Sequence, residues 1–75
     1  MNRLPSLKPR EVLRALERAG FYVHHQTGSH VNLRHPKDLS LRVVVPMHNR
    51  DLFRATLHSI LKQSGMTVEE FVGHL

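Results

Sequence analysis

Seven of the 75 residues are histidine, and one of them closes a Gly28-Ser29-His30 tripeptide. Imidazole titrates close to neutrality, so a positioned histidine can take or give a proton at working pH. Gly28 has no Cβ to hold the backbone away from a bound phosphate. If a ribose 2′-OH supplies the nucleophile, the protein needs only a base and cations for the phosphorus centre. Arg34, Arg42 and Lys37 are candidates for the cations. His30 is the candidate base, although an exposed strand histidine with no role has the same residue type.

The remaining histidines divide by context. His48 follows Pro46-Met47 and is either a second acid–base or phosphate group or a plain loop residue. His24 is a candidate substrate contact, and His35, before Pro36, is expected to support a turn. His25 is expected on the inward face of its strand, and His58 and His74 on the surface. A metal centre is not expected: cysteine is absent, no His-Glu-x-x-His is present, His30 and His35 differ in strand parity, and Asp38 and Asp51 stand alone. Ser29 makes a poor nucleophile, because adjacent strand residues point to opposite faces and no acid orients His30.

Eleven Lys and Arg oppose six Asp and Glu, a net charge of +5 with most of the cations arginine. That balance suits a polyanionic partner, most commonly nucleic acid, and it equally suits a merely solvated surface. No segment has the length of a membrane span or of a signal-peptide core, and Val43 to Met47 is the longest apolar run. A cytoplasmic protein without small-molecule cofactors is expected. The length fits one domain over residues 1–75, burying only ~60% of the surface its unfolded chain would expose.

The elements follow from periodicity. Pro9 suits a first helical position, Val12, Leu13, Leu16 and Ala19 make one stripe, and Gly20 is a natural stop. From Phe21 the period becomes two. Parity favours a three-residue loop pairing Gln26 with His30, which unites Phe21, Val23, Val31 and Leu33 on a buried face. Pro36 to Ser40 is read as a turn, and Leu41 to Val45 as a third strand with Leu41, Val43 and Val45 inward and Pro46 ending the pairing. A second helix is expected from near Asp51 to Gly65, with Phe53, Leu57, Ile60, Leu61 and Ser64 inside. Thr67 to Glu70 reads as a capping box opening a short last helix anchored by Phe71.

The predicted fold is α+β, in the order α-β-β-β-α. It consists of a three-stranded antiparallel meander with two helices on one face and a short C-terminal helical turn. This resembles the double-stranded RNA-binding domain architecture, a likeness that does not by itself assign function. The other sheet face is left to solvent, and parity places Tyr22, His24, Gln26, His30, Asn32, Arg34, Arg42 and Val44 on it.

Several segments go beyond composition: Gly28-Ser29-His30, His35-Pro36, Val45-Pro46-Met47-His48, the run Ser59 to Gly65, and Glu69-Glu70-Phe71. In this order and spacing they resemble the HicA family, the mRNA interferase toxins of bacterial toxin–antitoxin pairs. Ala55 departs from the pattern, standing where the family usually has glycine before the threonine matched here by Thr56. The resemblance implies an endoribonuclease that cuts messenger RNA with the histidine of Gly-Ser-His, here His30, and is held inactive by a HicB-type antitoxin. Gly28, Ser29, His24, Arg34, Arg42 and His48 are the expected RNA-binding set, with no metal. A non-catalytic RNA-binding module of the same fold is the alternative. A module that meets an acidic protein is a further one.

Overall fold

The computed structural model describes residues 3–75. Its elements run α1 (Pro9–Arg18), β1 (Tyr22–Thr27), β2 (His30–His35), β3 (Asp38–Pro46), α2 (Arg54–Ser64) and α3 (Val68–Val72). The strands form an antiparallel sheet in the order β1-β2-β3, which is the α-β-β-β-α, α+β architecture expected from the sequence.

Pro9 begins α1, and the Glu11 carboxylate accepts the Lys8 backbone N–H at 2.9 Å, satisfying a donor that a helix start leaves free. Val12, Ala15 and Leu16 are buried, with Leu13 half-buried beside them. Both long helices lie against β3, so the core gathers Val31, Leu33, Val43 and Val45 under α1 and α2. Leu4 and Leu7 close one side, with Leu4 fixed by an Arg54 guanidinium bond to its carbonyl. Phe71 fills the core from α3. The capping box forms there as expected, with Thr67 N–H donating to Glu70 and Glu70 N–H donating to the Thr67 hydroxyl.

Three expectations about the elements are corrected. Helix α2 starts at Arg54 rather than near Asp51. Its cap residue Phe53 is therefore 78% exposed, while Leu52 is buried and its N–H donates to the Leu7 carbonyl at 2.8 Å. The second strand connection is tighter than Pro36 to Ser40. His35 pairs with Asp38, and the Asp38 carboxylate folds back onto the Ser40 N–H and hydroxyl, so residues 39–41 bow out of the ladder and leave Leu41 half-buried.

The third correction concerns register. Thr27 pairs with His30 across a two-residue Gly28-Ser29 turn, so the Gln26–His30 pairing does not form. A bulge between Val23 and His25 absorbs the odd residue and still sets Val23 opposite Leu33. Val23 is nonetheless 44% exposed, because β1 overhangs the helices and packs chiefly on β2. Of the four residues expected on that buried face, Phe21, Val31 and Leu33 are buried.

Candidate functional site

The uncovered face of the sheet is a ladder of three cross-strand rungs. Thr27, His30 and Pro46 make the first, His25, Asn32 and Val44 the second, and Tyr22, Arg34 and Arg42 the third. Directly paired residues share a face, so these side chains lie on the side away from the helices.

His30 stands at the first rung, exposed, with neither ring nitrogen in a hydrogen bond among the described residues. Gly28 beside it holds φ at +57°, and a Cβ there would meet nothing within 4 Å. The hairpin mouth is therefore open to an approaching group. The Met47 N–H donates to the Ser29 carbonyl at 2.6 Å, which ties the loop after β3 to this turn. His48 follows at once in that loop. Its Nδ1 accepts the Arg50 N–H at 3.1 Å, which leaves Nε2 as the free nitrogen, and it lines a groove with Lys8 and Arg10 at the start of α1.

His35 has the opposite character. Its Nδ1 accepts the Lys37 N–H at 3.1 Å, its Nε2 lies 3.2 Å from the Ala19 carbonyl, and its ring meets Phe21 edge-on at 4.9 Å. With Nδ1 accepting, Nε2 carries the proton and donates. His35 thus latches the end of α1 to the β2–β3 turn, the supporting role expected of it. Gly20, at φ +103°, makes room for the latch, since a Cβ there would stand 2.7 Å from His35 Nε2.

The bulge rearranges β1. His24 and His25 together oppose Asn32, their Nδ1 atoms 2.8 Å apart, with His25 exposed rather than inward. Gln26 takes the helix-side row opposite Val31, stays exposed at the sheet edge, and donates to the Gly28 carbonyl at 3.1 Å. Parity counted from Phe21 misassigns both residues, because a bulge adds one residue to the count. The broken alternation at His24-His25, where an apolar residue was due, was the available signal.

The cations are not gathered at His30. Lys37 sits in the turn at the far end of β2, and Arg34 lies four residues along the strand, about 13 Å away. Among the described residues no three His, Cys, Asp or Glu side chains converge as a metal site, and the single ion pair is Lys8–Asp51 at 3.3 Å. Carboxylates are held below their usual range at two exposed positions. Asp38 is held by the Ser40 hydroxyl and then the Ser40 N–H, and Glu70 by the Thr67 N–H and then its hydroxyl. Both stand in turns and caps away from the open face. No helix among the described residues is long and apolar enough to cross a membrane.

Fold and face together define a small α+β domain of the double-stranded RNA-binding-domain type, with an open polar sheet surface. The family described as HicA toxin of bacterial toxin–antitoxin matches residues 9–66, and the chain belongs to that family of toxins. No curated protein matches it.

Proposed function

We propose that this toxin is an endoribonuclease that cleaves messenger RNA in the cytoplasm and is held inactive by a HicB-type antitoxin. The observation that carries the reading is the contrast between His30 and His35. His35 has both nitrogens committed to backbone groups, whereas His30 offers both to solvent on the open face.

In the mechanism, the substrate 2′-oxygen attacks the adjacent phosphorus as His30 takes its proton. The P–O5′ bond then breaks, leaving a 2′,3′-cyclic phosphate and a 5′-oxygen that takes a proton from His48 or from water. Gly28 and Ser29 let the RNA backbone approach the hairpin mouth, His24 flanks it, and Arg34 and Arg42 hold phosphates farther along the strand.

The chemistry asked of the protein is proton transfer and charge stabilisation, so cleavage should persist in excess EDTA. The test is a gel of incubated RNA with end-group analysis of the products. Cyclic-phosphate ends in the presence of chelator support the proposal. Activity lost in EDTA and restored by one divalent ion overturns the mechanism, and a mobility shift without cutting indicates the binding module.

A further inference from the structure

Arg34 and Arg42 face each other directly across β2 and β3, and neither has an acidic partner among the described residues. Like charges placed opposite each other on a sheet face repel, a cost that an anion lying between them removes. Tyr22 completes the same rung, 41% exposed and directly opposite Arg34. Two forked cations beside an open aromatic face suit a nucleotide, with its phosphate on the guanidiniums and its base stacked on the phenol ring. An acidic protein segment would use the arginines but has no need of the ring.

Position along the strand adds the second element. The rung lies about 13 Å from His30, more than one internucleotide step, with the polar rung at Asn32 between them. We infer that Tyr22, Arg34 and Arg42 form a separate subsite for a flanking nucleotide of single-stranded RNA, displaced from the phosphate cleaved at His30. Cleavage efficiency therefore rises with substrate length. The inference rests on the nuclease reading above and adds to it where the strand runs, along β2.

The experiment compares oligoribonucleotides of two and of about six residues sharing one cleavable step. Rates are measured with the wild-type chain, Arg34→Gln/Arg42→Gln and Tyr22→Ala, and binding is measured by fluorescence anisotropy in the His30→Ala background. The wild type should prefer the longer RNA. The double arginine variant should lose roughly ten- to a hundredfold of that preference through KM. Its slope of log affinity against log salt on the longer RNA should fall by about 0.7, for the one phosphate no longer neutralised. Tyr22→Ala should cost about tenfold on the longer RNA and leave the salt slope unchanged. The double variant should melt no lower than the wild type, which separates weakened binding from a disrupted fold.

Equal losses on both RNAs would place the arginines at the cleaved phosphate and overturn the inference. So would no loss on either, or an effect confined to the antitoxin. If the wild type binds RNA without cutting it, the nuclease reading falls, and length and salt dependence of binding still decide the subsite. If it does not bind RNA, both fall.

Discussion

The backbone N–H of Met47 donates to the carbonyl of Ser29 at 2.6 Å, closing the end of the sheet that carries His30. The bond joins the hairpin turn before β2 to the loop that carries His48, so a backbone contact ties that loop to the end of the sheet where His30 stands.

Replacing His30 tests the proton-transfer role directly. His30→Ala removes an exposed side chain without hydrogen bonds among the described residues, so stability should stay within roughly 0.5 kcal/mol of the wild type. The cleavage rate should fall by about 10²–10⁴ while RNA and antitoxin still bind. A parallel His48→Ala change should give a smaller loss if His48 only assists the leaving group. A His30→Ala protein that cleaves RNA at near wild-type rate would refute the assignment.

The antitoxin is expected on the open strand face, with acidic residues against Arg34 or Arg42. Association should then slow as salt rises, because opposite charges steer the encounter. Stopped-flow association across a salt series measures this, and hydrogen exchange of the complex maps the covered strands. A complex that leaves the His30 rung fully accessible would rule out occlusion as the means of inhibition.

Gly20→Ala should destabilise the fold. The new Cβ would have to hold φ +103° and stand 2.7 Å from His35 Nε2, a clash that costs the latch its bond to Ala19. A non-glycine residue in such a conformation costs roughly 1–3 kcal/mol before the clash is added. For a domain of this size each kcal/mol lowers Tm by about 4–8 °C. An unchanged melting temperature would show that the turn relaxes freely and that His35 is not a latch.

Stability should fall on the acid side, in part through Glu70. Its carboxyl is held below the ordinary 4.5 by the Thr67 N–H and hydroxyl, so the folded chain binds that proton less tightly than the unfolded one. The contribution is complete above about pH 4.5 and is lost as pH falls through the lower folded value. Glu70→Gln has no such titration, so its melting temperature should decline less steeply over this acid range. Parallel curves for the two proteins would contradict the linkage.

Much of this was legible in the residues. Pro9 and Gly20 bracket α1, the capping box at Thr67 and Glu70 opens α3, and Val31, Leu33, Val43 and Val45 alternate onto the core, because capping and period-two burial are local rules that the chain states for itself. The exposure of His30 followed from the same alternation. What only the tertiary structure decided depends on neighbours distant in sequence. The bulge that turns His24 and His25 to one side reconciles the two-residue turn at Gly28-Ser29 with the pairing of Val23 opposite Leu33. Phe53 is exposed because Leu52, held by Leu7, takes the buried position just before α2. Arg34 lies against Arg42 because the pairing of β2 with β3 sets which cations share a rung, and no single strand carries that register.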